Sequence, residues 1–282
     1  MPPARRTGQI RHLTGSLFLL EARMHEQGRA GGTRGALEVR NAVGVGHWES
    51  DRFAEAASVL EPVVEECRQV LGGSDPDTLV AAGNLAMSYV HLERWEQGLS
   101  LLTENVAARE RAFGEVDPLT MTARHAQATA YQMAGRLPEA LSTFSTVAAQ
   151  RSRVLGPAHP DALASRVGLA LARADSGDPA AAVPGLVSAL QDAEQSVGPH
   201  TVSTVTIRIH LADCHTELGN LDDAVDGLTR AAADCETVLG AGAPLVLTLQ
   251  REASALQRSR VVRDADATAD RPGAVVPARV EQ

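Results

Sequence analysis

Apolar side chains recur along this chain with a period of 42 residues. The repeat is clearest at five pairs that join a large apolar residue to a glycine: Leu71-Gly72, Phe113-Gly114, Leu155-Gly156, Val197-Gly198 and Leu239-Gly240. Internal repetition every 20 to 50 residues or so is typical of arrays in which each unit buries its apolar face against its neighbours. The pattern therefore predicts a repeat array with an extended surface, and binding is its expected class of function.

A first run of apolar positions in each unit predicts a helix. One column holds Leu79, Met121, Leu163, Val205 and Leu247, and another, six residues later, holds Leu85, Gln127, Leu169, Leu211 and Ala253. Small residues follow the second column: Ala86, Ala128, Ala170, Ala212 and Ser254. A small residue beside a large one lets a second helix approach closely. The alternation predicts antiparallel helix pairs.

A turn column predicts where the first helix ends and a second one begins. It holds Asp51, Glu93, Gly135, Gly177 and Gly219, and glycine suits a left-handed helix end. Asp178, before Pro179, and Asn220 suit N-cap positions of second helices. Three columns are expected to be buried in the second helices: Phe53, Trp95, Leu137, Pro179 and Leu221; Ala56, Gly98, Ala140, Ala182 and Ala224; Leu60, Leu102, Phe144, Leu186 and Leu228. Each unit is thus helix, turn, helix and loop.

The loops share a motif at residues 74–79, 116–121 and 158–163, in which proline stands third. Proline ends the extended linker, and an Asp or Thr is expected to cap the next helix. With residues 84–89 and 135–141, these loops resemble the tetratricopeptide repeat in its 42-residue, kinesin light chain-like form. The resemblance covers roughly residues 31 to 260 and departs at Val202, where proline is expected, and at residues 32–35. It implies an all-α, right-handed superhelical solenoid of antiparallel helix pairs.

Three regions are predicted along the chain. Residues 31–260 form the array of about five units plus a final helix, which residues 246–260 supply. Counting back one period from Phe53 predicts an unpaired second-type helix over 11–28, within an N-terminal region 1–30. Five residues support it by their spacing of three and four: Ile10, Leu13, Leu17, Leu20 and Met24. Residues 261–282 contain prolines and mixed charge without an amphipathic period, so a disordered tail is expected.

The predicted N-terminal helix has no first-type partner before it, so its packing face is open. Covering a leucine- or phenylalanine-sized side chain contributes about 1.5 to 3 kcal/mol. Leu13, Leu17 and Phe18 therefore mark a predicted docking end. The hypothesis is that this end docks on another chain or on a second copy of this one.

The composition limits the classes of partner and the cell compartment that are expected. The net charge of −9 disfavours nucleic acid, which needs a clustered basic face. The apolar run at residues 17–20 is interrupted by Glu21 and Arg23, and it is too short for a signal or membrane segment. Three cysteines do not make a disulfide framework and are expected to be reduced. A cytoplasmic protein without a membrane contact is predicted.

The sequence contains few motifs that are typical of catalysis, nucleotide binding or metal binding. All 26 basic residues are arginine, so a Walker A loop and a Schiff-base lysine are excluded. This bias is typical of a GC-rich coding sequence and indicates a bacterial source. His210 and His215 lie about 140° apart around a helix and do not share a face. No Gly-x-Ser-x-Gly nucleophile elbow occurs. We expect no catalysis, no cofactor and no metal.

The resemblance also implies a binding surface, because first helices line the concave groove of tetratricopeptide arrays. The implied groove residues are Asn41, Trp48, Asn84, Met87, His91, His125, Thr129, Gln132, Val167, Leu171, His210, Asp213 and Arg251. Amide side chains suit an extended peptide backbone. The expected function is a non-catalytic scaffold that holds a peptide or helix of a partner protein. The alternative is a detached sensor arm, resembling the repeat region of bacterial signalling ATPases, that docks through its N-terminal end.

Overall fold

The computed structural model describes residues 33–269. Eleven helices, and no strand, occur in this range: α1 (Thr33–Glu49), α2 (Phe53–Val70), α3 (Pro76–His91), α4 (Trp95–Phe113), α5 (Pro118–Met133), α6 (Leu137–Leu155), α7 (Pro160–Asp175), α8 (Pro179–Ser196), α9 (Val202–Glu217), α10 (Leu221–Leu239) and α11 (Pro244–Ala269). Odd-numbered helices are the first helices of the repeats, and even-numbered helices are the second ones. The predicted all-α fold of paired helices is confirmed.

The chain divides into two units at residue 196. In the first unit, each helix from α1 to α8 packs against the next, and the first helices α1, α3, α5 and α7 also contact one another in sequence. In the second unit, α9 packs on α10 and α10 packs on α11. The first unit therefore presents a row of neighbouring first helices.

The column predicted at the centre of the second helices forms the core. Its members are at most 1% exposed: Leu60, Leu102, Phe144, Leu186 and Leu228. Phe144 is larger than the leucines, and Gly168 accommodates it, because a Cβ added at Gly168 would lie 2.5 Å from Phe144 Cε1. Two repeats earlier, Asn84 stands at the position of Gly168, and leucine replaces the ring.

In the column that begins at Leu79, the first four members, Leu79 to Val205, are buried. The prediction that its fifth member, on the final helix, packs in the same way was wrong. Leu247 is 40% exposed, and Ser254 is exposed as well. Val246 and Leu249 are buried in their place.

Every turn from a first to a second helix contains one residue in the left-handed region. Gly135, Gly177 and Gly219 have φ of 73°, 88° and 74°, which confirms the prediction made for the three glycines. Asp51 and Glu93 adopt the same conformation, with φ of 58° and 59°. The turn geometry therefore does not depend on glycine.

Side-chain caps begin most first helices. Asp75, Asp117 and His159 each accept a hydrogen bond from a backbone N–H in the first turn. Thr201 does so where Val202 replaces proline, since its side chain accepts from the N–H of Thr204 at 3.3 Å. The linker that lacks proline thus keeps a cap.

Both predicted N-cap residues of the second helices stand directly before their helices, and one of them makes a cap hydrogen bond. The side chain of Asp178 accepts from the N–H of Ala181 at 2.9 Å. Asn220 occupies the predicted N-cap position directly before α10, but its side chain makes no cap hydrogen bond. Its ψ of 68° also differs from the extended value near 140° at Asp75 and Asp117.

The final helix is longer than predicted. It begins at Pro244 and ends at Ala269, whereas the sequence predicted an end at residue 260 and a tail from 261. The nearest proline after it is Pro272, and nothing before that residue forbids helical backbone. The predicted helix over 11–28, the docking residues Leu13, Leu17 and Phe18, and residues 270–282 lie outside the described residues.

Candidate partner-binding face

The predicted groove residues of the first unit lie on α1, α3, α5 and α7, and together they define what we call the first-helix face. Neighbouring first helices contact each other, so these residues lie along one row of adjacent helices. Six of them are less than 10% exposed: Asn41, Trp48, Asn84, Met87, His125 and Val167. Most of the predicted residues therefore form the floor of this face.

Two of the floor residues tie α1 to α3. The amide of Asn84 donates a hydrogen bond from Nδ2 to Oδ1 of Asn41 at 3.2 Å. A buried amide that finds a partner avoids the desolvation penalty of an unpaired polar group. Both side chains are thus committed to an internal contact that fixes the spacing of the two helices.

His125 plays a similar part between α5 and α7. Its Nδ1 lies 3.2 Å from Oγ of Ser165, and its ring meets Phe144 edge-on at 5.4 Å between centroids. Burial, with a smaller contribution from the charge of Arg151, lowers the pKa of His125 to about 3. The ring is therefore neutral at physiological pH and supports the fold from within.

Arg151 completes this polar cluster. Its Nη1 donates to Oγ of Ser165 at 3.0 Å, and its Nη2 donates to Oγ1 of Thr122 at 2.8 Å. The side chain is 1% exposed, and it joins α6 to both α5 and α7.

Sequence reasoning missed Arg151. Its column also holds Arg109, which is fully buried, together with cysteine at residues 67 and 235 and alanine at residue 193. Two arginines among small apolar residues were the available signal of a buried charge.

Three rings pack together where α1, α2 and α3 meet. Trp48 lies edge-on to Phe53 at 5.8 Å and to His91 at 5.3 Å between centroids. Phe53 and His91 stack at 4.3 Å. Only His91 belongs both to this cluster and to the accessible part of the first-helix face, since it is half-buried.

Four predicted residues remain accessible on the first-helix face: His91, Thr129, Gln132 and Leu171, all half-buried. Gln132 Nε2 donates to Oδ2 of Asp175 at 2.7 Å, which joins α5 to α7 at the surface. Asp175 is exposed and was missed by the sequence analysis. It lies two periods after His91, so extending that column would have found it.

The second unit carries the remaining predicted residues. His210 and Asp213 lie on α9 and are half-buried, whereas Arg251 lies on α11 and is exposed. The same unit holds an ionic cluster that the sequence did not predict. Asp234 is 8% exposed, pairs with Arg208, and accepts from Nδ1 of His200 at 3.0 Å. These contacts tie α9 and its preceding loop to α10.

The described residues offer little reactive chemistry. Cys67, Cys214 and Cys235 are buried and form no disulfide, and burial raises the pKa of the Cys67 thiol to about 11. A thiol of that pKa is protonated at neutral pH and is a poor nucleophile. Across residues 34–263, no three His, Cys, Asp or Glu side chains form a group able to hold a metal ion. None of the described helices is both long and apolar enough to span a membrane.

Comparison with known families gives one match. The model of the tetratricopeptide repeat family matches residues 77–147 and 127–195. Both segments lie in the first unit, between α3 and α8. No curated protein matches the sequence.

Solved structures share the fold. The nearly identical TPR-like repeats of a protein assigned as a kinesin light chain from Podosopora anserina superpose with a TM-score of 0.62 at 24% identity, covering 72% of this chain and 97% of that one. BtubC (BKLC) from P. vanneervenii gives 0.60 at 16% identity, with coverages of 82% and 98%. A thermophilic TPR protein from Thermus thermophilus gives 0.54 at 20% identity, with coverages of 78% and 98%.

Proposed function

We propose that this chain, whose residues 77–147 and 127–195 match the tetratricopeptide repeat family and whose fold resembles that of solved kinesin light chain-like repeats, binds an extended peptide or a helix of a partner protein along its first-helix face. Tetratricopeptide repeats form protein-interaction scaffolds. The proposal adds that the first-helix face is the surface that binds the partner. The proposed setting is the cytoplasm, where buried free thiols such as Cys67 stay reduced.

One observation carries the proposal: accessible side chains of neighbouring first helices stand on a floor that is already fixed by buried hydrogen bonds. Thr129, Gln132 and Leu171 are half-buried on α5 and α7. Beneath them, His125 bonds to Ser165 across the same two helices. A surface that is ordered before binding loses little conformational entropy when a ligand arrives.

The chemistry of this surface suits a peptide. Gln132 and Asp175 offer amide and carboxylate groups that can pair with backbone N–H groups. A micromolar complex requires about −8 kcal/mol, and hydrogen bonds contribute roughly 1 kcal/mol each. Apolar contact must supply the rest, and Leu171, next to the buried Val167, is the anchor available on α7.

Selection of peptides from a random library on the immobilised protein tests the proposal. Titration calorimetry should show that Thr129→Arg/Leu171→Glu weakens the selected peptides by at least tenfold, about 1.4 kcal/mol. The matched control is Ser145→Arg/Ala149→Glu, which introduces the same charges at exposed positions of α6. Equal affinity for the wild type and the α5–α7 variant would contradict binding at this face.

A second function is favoured by one observation on α1, the first described helix. Val39 and Val43 are 65% and 49% exposed, although their equivalents one period later, Ala81 and Leu85, are 1% and 5% exposed. Those equivalents are covered where α3 packs on α2. The second proposal is therefore a detached sensor arm of a bacterial signalling-ATPase assembly that docks through its N-terminal end.

A further inference from the structure

A cleft of about 620 Å³ lies between α4 and the turn that joins α5 to α6. Trp95 and Leu99 form its wall on α4, and Tyr131 forms its wall on α5. None of these residues belongs to the first-helix face. The cleft is thus a separate feature of the first unit, and the argument for its ligand does not depend on peptide binding at the first-helix face.

The preceding repeat shows why the space is open. There, Glu61 on α2 accepts a hydrogen bond from the hydroxyl of Tyr89 at 2.9 Å and lies 3.6 Å from Arg94. One period later, Thr103 replaces Glu61 and Ala134 replaces Leu92. Both replacements are smaller, and both line the cleft. The chain fills this position with its own side chains in one repeat and leaves it open in the next.

Two carboxylates have been added at the cleft. Glu96 and Glu104 line it, whereas Ala54 and Pro62 stand at the equivalent positions of the preceding repeat. The side chain of Glu104 is 68% exposed, and its nearest cation, Arg68, lies at 4.0 Å, the outer limit of an ion pair. A charge held so loosely remains available to a ligand.

The arginine of the cleft is already paired. Arg136 stacks over the Tyr131 ring at 4.8 Å, and its Nε and Nη2 both donate to Oε1 of Glu139, at 2.9 and 2.7 Å. In the preceding repeat, neutral Gln97 holds the position of Glu139. The positive charge of Arg136 is therefore balanced within its own turn, and the surplus charge of the cleft is negative.

We propose that this cleft binds an arginine side chain presented by a segment of a partner protein. A guanidinium stacks favourably on the face of a tryptophan ring, here Trp95, whereas Arg136 already covers one face of Tyr131. A guanidinium also forms directional hydrogen bonds with carboxylates, which Glu96 and Glu104 provide. The surplus negative charge disfavours an acidic segment at the same place.

The two tryptophans of the chain make the proposal measurable. Trp95 lines the cleft, and Trp48, at 9% exposure in the ring cluster with Phe53 and His91, serves as an internal control. The full chain is titrated with acetyl-Gly-Arg-Gly-amide while the indole N–H resonances are followed. The arginine peptide should shift the Trp95 resonance saturably and leave Trp48 unchanged. Peptides with citrulline or glutamate in place of arginine should have little effect.

Two variants decide whether the cleft itself is responsible. Thr103→Glu/Ala134→Leu restores the side chains of the preceding repeat, so it should fill the cleft and weaken the arginine peptide by at least tenfold, about 1.4 kcal/mol. Glu96→Gln/Glu104→Gln changes only accessible carboxylates and should weaken it about fivefold, since each exposed pair contributes up to about 1 kcal/mol. Circular dichroism checks that both variants stay helical, and the glutamine variant decides alone if the other does not fold.

Three results would overturn the proposal. The first is an unchanged Trp95 resonance up to millimolar arginine peptide. The second is equal affinity for the wild type and the glutamine variant. The third is stronger binding of the glutamate peptide, which would assign the cleft to anions through Arg136 instead.

Discussion

At the scale of single residues, the turn between paired helices requires a left-handed backbone that three repeats provide with glycine and two do not. Asp51 and Glu93 adopt φ near +60° despite their Cβ atoms. A left-handed conformation costs a residue other than glycine about 1 to 2 kcal/mol. These two turns are therefore held in place by the packing of the helices on either side.

Replacing Glu93 with glycine should stabilise the protein. The side chain is exposed, so little is lost, and removing the Cβ relieves the left-handed strain. After allowance for the greater entropy of glycine in the unfolded chain, we expect a gain of about 0.5 to 1 kcal/mol in the free energy of unfolding. The reverse change, Gly135→Glu, should destabilise by about 1 to 2 kcal/mol in urea denaturation. A less stable Glu93→Gly variant would show that the side chain itself stabilises the turn.

His125 predicts how stability depends on pH. Its folded pKa, about 3, lies below the ordinary value of 6.5, so the unfolded state alone binds a proton between these values. The stabilisation is fully present above pH 6.5 and is lost as the pH falls from 6.5 towards 3, by up to about 1.4 kcal/mol per pH unit.

Urea denaturation at pH 7 and pH 5 measures this loss. The wild type should lose about 2 kcal/mol more than His125→Gln over that interval. If the wild type and His125→Gln change in parallel, His125 is not buried in the neutral form.

The residue scale also shows where sequence reasoning reaches its limit. The period placed Leu60 and Phe144 in the core correctly, because a column that is apolar in every repeat has one environment. The roles of Asn84 and His125 could not be read in this way. An amide or imidazole at a concave position suits a ligand or a neighbouring helix equally well, and only the distance between first helices decides which one it meets.

At the scale of elements, start signals were more predictable than end signals. Proline at the first helical position marks the start of α3, α5 and α7, since it combines a fixed φ with a missing donor. The final helix ends at Ala269, nine residues after the predicted end at Arg260. Amphipathic periodicity depends on which faces of a helix pack against neighbours, so it does not by itself fix the residue at which a helix ends.

At this scale, the prediction concerns α1, the first described helix. If a partner docks at the N-terminal end, Leu17→Glu/Phe18→Glu and Val39→Glu/Val43→Glu should each remove the same ATPase partner from material purified out of native lysate. Charged residues at these positions would have to be desolvated in the contact, which is unfavourable. Val261→Glu/Val262→Glu, at similarly exposed positions of α11, should retain it.

Two outcomes would count against docking at this end. Retention of the partner by both end variants would place the contact elsewhere. Light scattering of the purified chain tests self-association separately, and a constant monomer mass over a wide concentration range would exclude a second copy as the occupant.

At the scale of the whole molecule, the repeat explains why binding surfaces can differ while the fold stays constant. Columns at helix contacts, such as the one containing Leu102 and Leu186, hardly vary. Positions beside the contacts do vary, as the replacement of Glu61 by Thr103 shows. Each repeat can therefore present its own surface without disturbing its neighbours. The period predicted the scaffold, but the cleft became visible only when equivalent positions were compared in three dimensions.

Photo-crosslinking of a library-selected peptide to the full chain tests the central proposal most directly. The peptide carries a benzophenone group, and mass spectrometry identifies the attached residues. The account predicts attachment on α5 and α7 close to Thr129, Gln132 and Leu171, suppressed in Thr129→Arg/Leu171→Glu and retained in Ser145→Arg/Ala149→Glu. Attachment confined to the second helices, or unchanged by the α5–α7 variant, would contradict binding at the first-helix face.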